Sequence, residues 1–289
     1  MMKKIINYGK HHIDNQDIKI VIDTLKNNKL TQGSKVEEFE KKLSKYFGSK
    51  YSCAVNSGTS ALHLALKCIN LKKNDIVITT PNTFLATANS ILYNNGIPHF
   101  VDINKYDYNL DLNYLEDKIK FLKRRKHKLK AVIGVDFAGQ PCDWKGLRFL
   151  ANKYNFLLIN DNCHAMGAEI SKNKKYAIKY ADLVTHSYHP VKHITTGEGG
   201  SILTNSKKFI DICMSMRSHG VVKNKNMDEK NGLWYYEMRS LGYNFRLSDI
   251  QCSLGISQLN KLNKFIILRK KIAKIYDNKL TKWANIKIP

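Results

Sequence analysis

The chain has 289 residues, 48 Lys and Arg against 24 Asp and Glu, a formal charge of +24 and 43% hydrophobic residues; this composition can bury a core without metal or disulfide staples and excludes disorder as the main state. No apolar run approaches the ~18 residues that cross a bilayer, and the opening Met1-Met2-Lys3-Lys4-Ile5-Ile6-Asn7-Tyr8-Gly9-Lys10 lacks the apolar stretch of a secretory leader, so a cytoplasmic protein with no membrane partner is expected. The six cysteines are scattered with no C-x-x-C pair and no zinc spacing, which predicts reduced thiols and no metal site.

Helical spacing of Ile18, Val21, Ile22 and Leu25 after Asn15 predicts an amphipathic helix. Ser34 with Glu37 three residues on reads as a capping box for a second, carrying Val36, Phe39, Leu43 and Phe47. Short apolar runs then alternate with helical stretches. Strands are expected at Tyr51 to Val55, Ile76 to Thr79 and His99 to Ile103, with helices at Thr59 to Ile69 and from about Phe84 to Tyr93. The run Lys123-Arg124-Arg125-Lys126-His127-Lys128-Leu129-Lys130 has no aromatic interleaving and precedes an apolar strand. It reads as a solvated surface segment in preference to a nucleic-acid patch, and the lysines dispersed along the chain point the same way. Strands at Ala131 to Phe137, Phe156 to Asn160, Leu183 to Tyr188 and Ser201 to Thr204, with a helix near Trp144 to Tyr154, complete an α/β pattern with a largely parallel sheet. Beyond Lys207 the chain turns mostly helical, with Arg246 to Leu259 and Lys264 to Leu280 clearest, and Asn285 to Pro289 reads as a strand beginning.

In open α/β sheets ligands lie beyond the carboxyl ends of the strands. Four features fall there. Asn56-Ser57-Gly58-Thr59-Ser60-Ala61 follows a strand and opens a helix, where small residues let backbone N–H groups reach a phosphate or simply pack. Phe84 offers a flat apolar face, or core. Asp161 ends an apolar strand in Asn160-Asp161-Asn162-Cys163-His164, where a carboxylate needs a cationic partner unless it caps a helix or holds a metal, and His164 could equally be a packed core residue. Lys192 lies between Pro190 and a glycine-rich turn ending at Gly200, where lost solvation can make it an amine nucleophile toward an aldehyde. Pyridoxal phosphate needs this set: a lysine for its aldehyde, a carboxylate for its ring nitrogen, a helix start for its phosphate and a flat surface for its ring.

The sequence resembles the DegT/DnrJ/EryC1/StrS sugar aminotransferases. The matching stretches are Leu30-Thr31-Gln32-Gly33, Asn56 to Leu62, Thr79 to Asn89, Val135-Asp136-Phe137-Ala138-Gly139, Asp161 to Glu169, Ser187 to Gly200, Arg217-Ser218-His219-Gly220 and Asn244 to Gln251, spanning about residue 6 to 262. The resemblance implies a fold type I, aspartate-aminotransferase-like enzyme with pyridoxal phosphate as cofactor. It implies Lys192 as the Schiff-base lysine, Asp161 as partner of the pyridine nitrogen and His164 beside the cofactor's phenolic oxygen. Phe84 would stack on the ring, and Gly58, Thr59 and Ser187, with Ser60 beside them, would hold the phosphate. Asn244 would reach the cofactor of a neighbouring subunit, making a homodimer with shared sites. The implied reaction moves an amino group from L-glutamate to C4 of a UDP-linked 4-keto-6-deoxy-N-acetylhexosamine, as on the route to pseudaminic acid. Alternatives are a perosamine-type or 3-amino sugar aminotransferase, or a cofactor-binding protein without turnover; Lys192 argues against the family's 3-dehydratase, which has histidine there. Residues 1–245 are expected to form the large cofactor-binding domain with the N-terminal helices. Residues 246–289 would begin a smaller C-terminal domain that family members continue well past Pro289.

Overall fold

A computed structural model describes residues 9–27, 29–222, 232, 234–283, 285–286 and 288. Its centre is a seven-stranded sheet of β1 (Tyr51–Val55), β2 (Ile76–Thr79), β3 (Ile97–Phe100), β4 (Leu129–Val135), β5 (Leu157–Asp161), β6 (Leu183–Ser187) and β7 (Gly200–Thr204), in the order β1-β7-β6-β5-β4-β2-β3. β3, β2, β4, β5 and β6 are mutually parallel, and β7 runs against both β6 and β1. β7 is therefore the one reversed strand of this sheet, and six carboxyl ends gather along one rim beside its first residue, Gly200. A separate two-residue pair joins β8 (Val221–Val222) to β9 (Glu237–Met238).

The central strands are apolar on both faces because both are covered. Val132 of β4 and Leu158 of β5 point into one core with Phe39, Trp144 and Tyr188, whereas Ile133 and Ile159 point into the other with Leu64, Ile202 and Ile210. The helices that cover them are α1 (Asn15–Asn27), α2 (Ser34–Phe47), α3 (Gly58–Cys68), α4 (Leu85–Tyr93), α5 (Leu112–Arg124), α6 (Trp144–Tyr154), α7 (Tyr176–Tyr180), α8 (Lys207–Met216) and α9 (Asp249–Leu280).

Several expectations are corrected. The apolar stripe of α1 faces outward: Ile18, Ile22 and Leu25 are exposed while Asp17 and Thr24 are buried. Polar contacts set the helix's rotation, because Asp17 Oδ2 accepts from Gln258 Nε2 at 2.9 Å and pairs with Lys261, both on α9. The capping box at Ser34 does not form. Gly33 is the N-cap residue, without a side-chain cap of its own, and the carboxylate of Asp249 takes the N–H groups of Gly33 (2.7 Å) and Lys35 (3.0 Å) from across the fold. The two helices expected after Arg246 are one helix of 32 residues, started by a capping box between Ser248 and Gln251. Asn260 and Asn263 do not break it; they mark where burial ends, since Leu262 is fully buried and Ile267, Leu268, Ile272 and Ile275 are exposed. β3 lies two to three residues earlier than expected, and α5 and α7 were not anticipated. Asn285, Ile286 and Ile288 are not in a strand, and residues 287 and 289 of that expected strand lie outside the described residues. Of the basic run, Lys123 to Lys128 are exposed as expected, while Leu129 and Lys130 open β4 and are half-buried.

One buried ion pair ties the rim of the sheet to two helices. Arg217, at the end of α8, donates from Nη1 to the Ala54 carbonyl at 2.7 Å and to the Glu40 carboxylate, which in turn accepts the Ala54 N–H at 2.8 Å. Burial pushes the Glu40 carboxyl up, and Arg217 opposes that rise. Arg217→Met should leave Glu40 buried without its cation and cost about 3 to 5 kcal/mol of stability. A urea melt checks this, and an unchanged midpoint would refute it.

Candidate active site

The rim of carboxyl ends opens into a cavity of about 620 Å³, a size that holds a cofactor-sized molecule. One end is the start of α3. Ser57 is its N-cap, with Ser57 Oγ accepting from Ser60 N at 3.0 Å, so the N–H groups of Gly58 and Thr59 are left for an external acceptor at the positive helix end. Two glycines allow the close approach. A Cβ on Gly58 would meet Ser187 Cβ at 2.8 Å, and one on Gly200 would fall 2.4 Å from the Ser57 carbonyl oxygen.

Asp161 lies deep in the cavity as the last residue of β5, with 5% of its surface exposed. Its Oδ2 accepts from Thr87 Oγ1 at 2.8 Å and its Oδ1 from Cys163 N at 3.3 Å. None of the ion pairs among the described residues includes Asp161. A buried carboxylate without a cation is costly unless a ligand brings one.

Lys192 follows β6 in a turn closed by its own N–H to the His189 carbonyl at 2.8 Å, and its carbonyl accepts from Arg269 Nη2 at 3.5 Å. It is half-buried, less desolvated than its position in the sequence suggested. His164 faces the same cavity, and burial together with the Lys192 charge lowers its pKa. Its imidazole is therefore neutral near pH 7 and can either donate or accept a hydrogen bond. Phe84 is the N-cap residue of α4 and is 69% exposed on the cavity wall, so it is not core.

Gly58, Thr59, Phe84, Asp161, His164, Ser187 and Lys192 thus share one cavity. Ser60 and Asn244 do not line it. Ser60 is spent on the cap, donating to Asn56 Oδ1 at 2.6 Å, and Asn244 is exposed, bridged to Ser218. Thr83, Phe137, Cys163 and Glu198 also line the cavity and were assigned no role from sequence. Phe137 lies two residues past the end of β4, so the strand-end rule reaches it, but nothing in a single aromatic separates a wall from packing.

The donor set fits pyridoxal phosphate. A helix start with free N–H groups suits a phosphate, the uncompensated Asp161 suits a protonated ring nitrogen, and Lys192 supplies the amine that an aldehyde takes.

The model of the "DegT/DnrJ/EryC1/StrS aminotransferase family" matches residues 11–289. UDP-4-amino-4,6-dideoxy-N-acetyl-beta-L-altrosamine transaminase of Campylobacter jejuni is 43% identical over 287 residues, 98% of this chain and 73% of that protein. Among solved structures, Helicobacter pylori PseC, an aminotransferase involved in the biosynthesis of pseudoaminic acid, superposes with a TM-score of 0.86 at 33% identity, covering 96% of this chain and 71% of that one. The PLP form of the sugar aminotransferase Spr1654 of Streptococcus pneumoniae gives 0.85 at 27% identity, covering 96% and 72%.

Proposed function

The chain belongs to the DegT/DnrJ/EryC1/StrS aminotransferase family, as a pyridoxal-phosphate-dependent aminotransferase of fold type I, and from that premise we propose that it moves an amino group from L-glutamate to C4 of a UDP-linked 4-keto-6-deoxy-N-acetylhexosamine. The observation that carries this reading is the cavity that unites Lys192, Asp161 and the α3 start, in a chain 43% identical to the Campylobacter transaminase. Bound pyridoxal phosphate supplies an aldehyde carbon that carries the amine from donor to acceptor and a ring that takes up electrons from the breaking C–H bond.

The chain's own residues do the rest. The Gly58 and Thr59 N–H groups and the Ser187 hydroxyl hold the phosphate. Asp161 keeps a positive charge on the ring nitrogen, and the Phe84 face confines the ring. Lys192 holds the cofactor and moves protons at Nζ, taking one from the donor's α-carbon and returning one to the sugar carbon that gains the amine. His164, neutral, holds a hydrogen bond to the phenolic oxygen. The sum leaves 2-oxoglutarate and a 4-amino sugar.

A second copy of the chain completes the site in this proposal, with Asn244 reaching across to the other cofactor. Support comes from exposed apolar groups: Phe84 on the cavity wall, Leu85 next to it in sequence and Leu241, three residues before Asn244, more apolar surface than a lone subunit gains from presenting to water. We place the reaction in the cytoplasm, and residues 246–289 as the start of the smaller domain following 1–245. No helix among the described residues is long and apolar enough to cross a membrane.

The test is direct. Protein loaded with pyridoxal phosphate is given glutamate and a panel of UDP- and GDP-linked 4-keto sugars, and products are followed by mass spectrometry. Exchange of the carbonyl oxygen for an amine is expected on the UDP-linked N-acetylhexosamine. Conversion confined to a GDP sugar would overturn the substrate assignment.

A further inference from the structure

We infer that Thr87 is a positioning residue for this reaction, its hydroxyl, oriented by Thr83, fixing the Asp161 carboxylate toward the ring nitrogen of the cofactor. The inference rests on the cofactor reading above and adds a residue to it.

Thr87 lies in the first turn of α4 and is fully buried. A threonine within a helix ordinarily returns its hydroxyl to a carbonyl of the preceding turn. The next hydroxyl residue does so in kind, with Ser90 Oγ donating to the Thr87 carbonyl at 2.8 Å. Thr87 instead sends its proton out of the helix to Asp161 Oδ2 at 2.8 Å. Its oxygen also lies 2.8 Å from Thr83 Oγ1. A hydroxyl has one proton. Since that of Thr87 is committed to Asp161, Thr83 must be the donor in the pair, and the direction Thr83 to Thr87 to Asp161 is fixed. Each bond in such a chain polarises the next, and the last ends on a charge.

The geometry has a consequence at the carboxylate. Asp161 Oδ1 takes the Cys163 N–H at a longer 3.3 Å, so each oxygen has one protein donor and keeps a lone pair for the cavity. Removing Thr87 Oγ1 would leave the weaker backbone contact to orient the group alone. Packing needs no hydroxyl here, because valine has the same shape as threonine. Phe84 and Thr83 precede α4 and both line the cavity, so the segment that presents the ring-facing wall also orients the carboxylate.

The test compares the parent with Thr87→Val, Thr87→Ser, Thr83→Val and Asp161→Asn. Three quantities are measured: the Kd for pyridoxal phosphate by fluorescence quenching, the visible circular dichroism of the bound cofactor, and the Tm of the cofactor-free protein. Thr87→Val should raise Kd about tenfold, as expected for losing a hydrogen bond to a charged group, and change the visible band. Thr87→Ser should restore both, and Thr83→Val should fall between the parent and Thr87→Val. A structural role alone would lower Tm without these spectral changes, and that pattern would overturn the inference. Should Asp161→Asn weaken binding while Thr87→Val stays within about twofold of the parent, the inference fails and the cofactor reading stands. Should the parent itself bind no pyridoxal phosphate, both fall.

Discussion

In the Asp161→Asn protein, conversion of glutamate to 2-oxoglutarate should fall by about 10² to 10⁴, at ~1.4 kcal/mol per tenfold, while the fold persists. The substitution conserves size and removes only charge. Asp161 sits at the end of β5, almost wholly buried and without an ion pair among the described residues. Its negative charge therefore acts at full strength in a low-dielectric cavity, where a contact with a cation is worth several kcal/mol. An amide offers no such charge, and one end of it would present a donor toward Thr87 Oγ1 or Cys163 N, both of which now donate. Lys192 is untouched by the change and should still take the cofactor, so single-turnover kinetics on loaded protein of parent-like circular dichroism is the measurement. A rate within a few-fold of the parent would remove Asp161 from the assigned role.

A larger loss is expected from Lys192→Ala, on the order of 10⁴ or more, because one group is asked both to bind covalently and to move protons. Borohydride reduction of the loaded parent followed by peptide mapping should place the cofactor on Lys192, and the alanine variant should carry no such label. The turn that presents Lys192 is closed by backbone bonds, the Lys192 N–H to the His189 carbonyl and Arg269 to the Lys192 carbonyl. Truncating the side chain leaves those intact. A small amine added to the alanine variant should then restore part of the rate by supplying the missing base in solution. Label on a different lysine would refute the assignment.

How much of this was legible in the sequence depended on whether the signal was local. β1, β2 and β6 were readable because a strand covered on both faces is a short apolar run, and Lys192, Asp161 and Gly58 were readable because each stands at or shortly after the end of such a run. The rotation of α1 was not, since its apolar stripe points out and a buried Asp17 points in, held by Gln258 and Lys261 from the far end of the chain. The capping of α2 failed for the same reason: Ser34 with Glu37 is a good local motif, but Asp249 arrives from α9 and holds the N–H groups of Gly33 and Lys35, with Gly33 as the N-cap and Ser34 already inside the helix. Thr87 was hidden in a run of small residues, where a buried hydroxyl and a packing methyl look alike. Asn244 and Ser60 came with the resemblance, and neither lines the cavity of its own chain.

The reversed strand has a consequence for how the molecule is made. β7 pairs Thr204 with Tyr51 and Gly200 with Val55, so the strand that leads into the start of α3 is fastened by one that leaves the ribosome much later. Loop closure over such a span is slow, and non-local pairing dominates folding time. Residues 51–55 cannot make this pairing until β2 to β6 and then β7 have been synthesised. Until then Cys53, fully buried in the finished protein and paired with Ile202, lacks that cover. β7 lies between β1 and β6, so Gly58, just past the end of β1, and Ser187, at the end of β6, are neighbours only in a sheet that already holds β7.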